Sequence, residues 1–197
     1  MKTDIIIVSS EGARMETALN TADKVAAYCE LSPKNALHLR LLTEEMMGLM
    51  RSITRKTDGE FWIETEGNVF RLHLKVSAWL DSQKRDQLVA VSSSGRNEAT
   101  RGIMGKIRSF FEFWDDNGRP AFSSPLMLGE SAQMYGSIAW SMTEYRDELE
   151  IYREQKHEGA EEAWDELEKS VVSRVADDIR VSVHSDEAEM IIIKKME

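Results

Sequence analysis

Apolar residues recur at helical spacing through Leu39, Leu42, Met46, Leu49 or Met50, and Ile53, which predicts an amphipathic helix of about four turns. Ser32 and Pro33 suit its cap and first turn. Upstream, the β-branched stretch Asp4 to Val8 predicts a short strand. A helix follows to about Glu30, capped by Ser10, with Met15, Ala18, Ala22, Val25 and Cys29 on its apolar row. Asp58-Gly59 reads as a turn. Two strands come next, Phe61 to Thr65 and Val69 to Val76, joined at Glu66-Gly67-Asn68. In the second, Phe70, Leu72, Leu74 and Val76 alternate with Arg71, His73 and Lys75, giving one buried and one wet face.

Beyond Ser77 the pattern is irregular. Leu88 to Val91 reads as a short strand and Ser92 to Asn97 as a loop. Ala99, Ile103, Ile107, Phe110 or Phe111, and Trp114 mark a helix, and Asp115 to Ser131 a long connection. Helical spacing returns at Ile138, Met142, Tyr145, Leu149 and Tyr152, and again at Ala160, Trp164, Leu167, Val171 and Val175. Ile179 to Val183, a Ser185-Asp186 turn, and Met190 to Ile193 form a closing hairpin. Four or five strands with helices on one face predict a two-layer α/β sandwich with a mixed, mostly antiparallel sheet. Residues 1–197 then make a single domain with a long helical insertion at 78–159.

The chain has 197 residues, 42% of them hydrophobic, enough for a core without staples. Cys29 is its one cysteine, which excludes an intrachain disulfide and fits a reducing compartment. No apolar run approaches a signal sequence or a membrane span, so a cytoplasmic protein is expected. The net charge is −10, and −7 of it falls between Glu144 and Ser170. Such a surface repels phosphate backbones, which argues against nucleic-acid binding.

Two places carry candidate chemistry. Glu44 and Glu45 are adjacent in the Leu39–Ile53 helix. Glu44 has Arg40 one turn back, whereas Glu45 lies at the edge of the apolar stripe, where a carboxylate is costly. The segment Ser92 to Arg108 holds Arg96, Arg101, Lys106 and Arg108 against Glu98 alone. With Ser94, Gly95 and Asn97 it reads as an anion-binding loop built on Gly95, Arg96, Asn97, Arg101 and Lys106, or else as a capped basic surface helix. The four histidines show no metal-ligand spacing, and His73 reads as a surface residue. Cys29 reads as core, and the eleven methionines read as core filling.

The strand DIIIV, the helix LLTEEMMGLM and the closing LEKSVVSRVADDIRVSVHSDEAEMIIIKK resemble the GHKL (Bergerat-type) ATP-binding fold, closest to its bacterial anti-sigma-factor serine kinases. With the middle hairpin, the resemblance covers about residues 1–77 and 160–197, and the family's nucleotide lid falls at 78–159. In that family the motif helix carries Glu-x-x-x-Asn, a glutamate for the attacking water and an asparagine for Mg²⁺. Glu45 matches the glutamate, and Leu49 stands in the asparagine position. The adenine-receiving Asp-x-Gly-x-Gly is met by Ser77 to Asp81 (SAWLD), and the lid's Gly-x-Gly-Leu by WDELEKS before the last helix. The resemblance thus implies a regulatory protein with a degenerate nucleotide pocket that acts by binding a protein partner, such as a transcription regulator, with the acidic helices between about Ser137 and Ser170 as the added recognition surface and no cofactor expected. The alternative is an ATPase or serine protein kinase using ATP and Mg²⁺, with Glu45 as general base. A small-ligand sensor is a third reading, and a homodimer stays open.

Overall fold

In a computed structural model, the described residues are 1–53, 56–77, 104, 107, 137–184 and 187–197. Among them run β1 (Ile6–Ser9), α1 (Met15–Tyr28), α2 (Pro33–Ser52), β2 (Asp58–Glu66) and β3 (Val69–Ser77). After the insertion come β4 (Ser137–Ser141), α3 (Met142–Glu154), α4 (Ala160–Lys169), α5 (Val171–Val175), β5 (Asp178–His184) and β6 (Glu187–Lys195). The six strands form one antiparallel sheet in the order β1-β2-β3-β6-β5-β4. The fold class is the expected one, a mixed α/β sandwich.

The period-2 alternation of the strands decides where the core lies. Phe61 and Ile63 of β2, Leu72 and Leu74 of β3, Ile179 and Val181 of β5, and Met190 and Ile192 of β6 all point at the helices. There they meet Ala18, Ala22 and Val25 of α1, the α2 stripe, and Tyr145 and Leu149 of α3 in one continuous core. The opposite sheet face carries Arg71, His73 and Lys75 of β3 beside Glu187 and Glu189 of β6. The β2–β3 hairpin closes through Gly67, whose φ of 58° is the left-handed value that a type II′ turn assigns to its first central residue.

Four expectations change. Ser10 does not cap α1; its hydroxyl accepts the Thr57 amide at 3.1 Å and ties the end of β1 to the approach to β2. Helix α1 starts instead after Arg14, in the left-handed region at φ 56°, with no side-chain cap. Asp58-Gly59 is not a turn but the start of β2, pairing with Ser9 and Val8 on one side. On the other side Gly59 faces Val76, and a Cβ there would stand 3.2 Å from Leu74 Cδ1, the Lys75 carbonyl and Val76 Cγ2. Glycine suits this position because a side chain there would press on the third strand, which would have to give by a few tenths of an ångström.

Ile138 belongs to an edge strand, with Trp140 opposite Val181, and the helical row begins only at Met142. Ser141 marks the switch by accepting the Glu144 amide at 3.4 Å. The row from Ala160 to Val175 is two helices, because Ser170 is extended (φ −71°, ψ 124°) and its hydroxyl caps α5 through the Ser173 amide. The strand at Leu88–Val91, the helix built on Ala99 to Trp114 and the connection at Asp115–Ser131 lie outside the described residues, apart from Met104 and a buried Ile107 in helical conformation.

Candidate functional site

Helix α2 is organised as its sequence implies. Ser32 accepts the Asn35 amide at 3.3 Å, Pro33 occupies the first turn, and the stripe Leu39, Leu42, Met46, Leu49, Met50 and Ile53 is buried throughout. Thr43 is buried too, its hydroxyl donating to the Leu39 carbonyl at 2.9 Å, and so is Met47. The buried face is this broad because α2 is packed against α1 as well as the sheet and α5.

The two adjacent glutamates differ as the spacing suggests. Glu44 is exposed and takes Arg40 Nε at 3.1 Å, while Asp23 of α1 binds the same guanidinium through Nη1. Glu45 is half-buried and has no hydrogen bond or ion pair with the described residues. One turn on, where the resemblance calls for an oxygen ligand, Leu49 is 3% exposed and belongs to the core. Mg²⁺ needs near-octahedral oxygen ligation. A buried hydrocarbon supplies none, so the described residues of α2 do not fit the family's Mg-nucleotide group.

Of the other two motif positions, one is described only at its first residue and the other in full. Ser77 ends β3 as an exposed residue, and 78–81 lie outside the described residues. The stretch WDELEKS, in place of a glycine-rich approach to phosphates, is the last part of helix α4 and its Ser170 break. Trp164 there is covered by the Arg153 guanidinium, 4.5 Å from the ring centre. Gly95, Arg96, Asn97, Arg101 and Lys106 all lie outside the described residues.

The acidic segment forms an outer layer made by α3 and α4. Glu144, Asp147, Glu150, Glu154, Glu158, Glu161, Glu162, Asp165 and Glu168 are exposed on it. Three of its four cations are engaged within the layer or beneath it: Arg146 with the Ser173 carbonyl at 3.2 Å, Arg153 with Glu161 at 3.1 Å, and Lys169 with Asp165 at 3.4 Å. Ile151, near the end of α3, is exposed.

His73 departs from the expected surface residue. It alternates onto the polar face, yet is only 7% exposed, because Trp62 on the neighbouring strand stacks on it at 4.6 Å with the planes 10° apart. Its Nδ1 lies 2.8 Å from Glu189, and Nε2 lies 3.7 Å from Glu64. Glu64 also accepts Trp62 Nε1 at 2.9 Å and Lys2 Nζ at 3.0 Å. Those two donors, Trp62 foremost, hold its carboxyl below the usual range. Cys29, just past the end of α1, is partly buried against the core.

A cavity that the sequence did not announce opens between the start of α2, the β2–β3 turn and the end of β6. It has a volume of about 320 Å³ and is lined by Lys34, Asn35, His38, Asn68, Asp177 and the segment Lys194 to Glu197. Burial, and then Lys194 and Lys34, push the His38 imidazole below its ordinary value. The one signal in the sequence is the Lys194-Lys195 pair ending an apolar strand; nothing in it joins that pair to Lys34 and His38.

Among the described residues no cluster of three or more His, Cys, Asp or Glu could hold a metal ion, and no helix is long and apolar enough to cross a membrane. Compared with known protein families and with characterised proteins, the chain matches none.

Proposed function

We propose that this chain is a cytoplasmic regulatory protein of GHKL-like, histidine-kinase-like ATPase fold. It works by associating with a protein partner, in the manner of an anti-sigma factor, and not by turning over ATP. The observation that carries this reading is the acidic α3–α4 layer. Nine of its eleven carboxylates face solvent, and three of its four cations are already engaged. A one-signed surface of this kind steers a basic protein partner and sets the register of docking. Exposed Ile151 of α3 supplies apolar contact beside it. Buried Leu49 supports the same reading from the other side, since it leaves the cation position of the motif helix without an oxygen.

A second reading, an ATPase or serine protein kinase, is favoured by Glu45 itself. A half-buried carboxylate without a polar partner among the described residues is available as a general base. In this reading the loop from Arg96 to Lys106 would clamp the phosphates.

Thermal melting separates the two. Mg-ATP at 100 times its Kd adds about 2.7 kcal/mol, a rise of roughly 5–10 °C at this chain length. Association alone predicts no shift with Mg-ATP. It also predicts that changing exposed Glu150, Glu154, Glu158 and Glu162 to lysine abolishes capture of a partner that the unaltered protein retains. A nucleotide shift that disappears in Glu45→Ala would establish the enzyme reading in its place.

A further inference from the structure

The cavity at the foot of α2 is built from three separate parts of the chain. Lys34, Asn35 and His38 come from the first two turns of α2, Asn68 from the β2–β3 turn, and Asp177 with Lys194 to Glu197 from the two ends of the closing hairpin. Three lysine side chains face it against the side-chain carboxylates of Asp177 and Glu197, in a protein whose overall charge is −10. One of those carboxylates is already matched: Asp177 takes Lys194 Nζ at 3.3 Å and the Lys195 backbone amide. Lys34 and Lys195 have no acidic partner among the described residues. Asn35 is buried and fixed, donating through Nδ2 to the Glu197 carbonyl at 3.0 Å. Asn68 holds the opposite rim by accepting the Met196 amide at 2.8 Å. These bonds fix both rims of the cavity, while Lys34 and Lys195 form no ion pair among the described residues.

The helix end is not what would hold a ligand here. Pro33 has no amide hydrogen, and the Asn35 amide is taken by Ser32. Binding would come from side chains, and their type selects the ligand. No arginine lines the cavity, so the planar two-point fork that grips carboxylates and phosphates alike is missing and lysines supply the charge. Lysines are compact point charges, and in that form they commonly bind phosphate. His38 adds an imidazole whose protonation is opposed by burial and then by Lys194 and Lys34. Its Nδ1 is buried without a hydrogen-bond partner among the described residues.

We propose that this cavity is a binding site for a small phosphate-bearing anion, held by Lys34, Lys195 and His38. The site is separate from Glu45, which does not line it. It stands whether or not the protein-association reading does.

NMR titration of the His38 ring in the intact chain tests this, with inorganic phosphate and glycerol 3-phosphate as probes and sodium chloride holding ionic strength constant. A bound dianion offsets the repulsion from Lys34 and Lys194, so the His38 midpoint moves up saturably with either probe. Glycerol 3-phosphate binding more tightly than phosphate would mark a phosphomonoester site; equal affinity would mark a free-phosphate site. Lys34 and Lys195 are exposed, so Lys34→Ala with Lys195→Ala leaves the fold intact and weakens binding about tenfold or more. The proposal fails if the response never saturates, if succinate reproduces it at equal concentration, or if the double variant responds as the parent does.

Discussion

Replacing Asp178 should cost more stability than replacing any other carboxylate among the described residues, and the reason lies in one oxygen atom. Asp178 is 9% exposed at the start of β5, directly beneath the first turn of α3. Its Oδ1 accepts from the Ile179 amide at 2.9 Å, the Thr143 hydroxyl at 3.1 Å, and the Thr143 amide and Ser141 hydroxyl at 3.2 Å each. Oδ2 takes Arg180 Nε at 2.9 Å. Asp178→Ala leaves two backbone amides in a poorly hydrated place without an acceptor. At about 1–3 kcal/mol for each buried donor left unmade, partly offset by water, the loss should be about 3–4 kcal/mol. Arg180 is 62% exposed on its side chain, so its ion pair adds little.

Asp178→Asn keeps an acceptor oxygen for the α3 turn and loses only the charge, so about 1–2 kcal/mol is expected. At roughly 2–4 °C per kcal/mol for a chain of this size, urea and thermal unfolding resolve the two variants easily.

The pH dependence supplies an independent check. Burial pushes the Asp178 carboxyl up, but Arg180, Thr143 and Ser141 together outweigh it and hold the group below its ordinary value. A carboxyl with a depressed folded pKa binds fewer protons than the unfolded chain. Its stabilisation is therefore complete above the unfolded value of about 3.9 and is lost as pH falls through the folded value. The parent should lose this increment on acidification, whereas Asp178→Asn should not. An alanine variant within about 0.5 kcal/mol of the parent would refute the account of Oδ1 as the acceptor that joins α3 to the sheet.

Three further outcomes follow from the same geometry. Gly59→Ala should destabilise by about 1–3 kcal/mol in urea unfolding, because the added methyl meets three atoms at 3.2 Å, one of them a backbone carbonyl. Leu49→Asn, which restores the family's motif residue, should cost about 3 kcal/mol or more by placing an amide in the core, and should confer no Tm response to Mg-ATP. His38 has a lowered folded pKa, so unfolding takes up a proton between the folded value and the unfolded value of about 6.5. Stability should therefore fall as pH drops through that window, and His38→Gln should flatten the dependence in denaturant midpoints measured across it.

What the sequence determined by itself was periodicity. The α2 stripe from Leu39 to Ile53, the Ser32–Pro33 start, the alternation of β3 and the two closing strands are local patterns that the structure bears out, while the Ser185-Asp186 turn lies outside the described residues. The pairing of Glu44 with Arg40 was legible for the same reason, since it spans one helical turn. Local pattern misled where a neighbouring strand had the deciding vote. Gly59 looks like a turn until Leu74 and Val76 are set beside it, Ile138 looks helical until Val183 pairs with it, and His73 looks wet until Trp62 lies on it. The cavity at the foot of α2 was illegible because Lys34 and Lys195 stand near opposite ends of the chain. Only the sheet, by placing the end of β6 next to β3 and under the start of α2, gives those charges a common space. Spacing along a chain fixes which face a residue takes; which other residues share that face is fixed by strand order, and strand order is settled by the energy of the whole core.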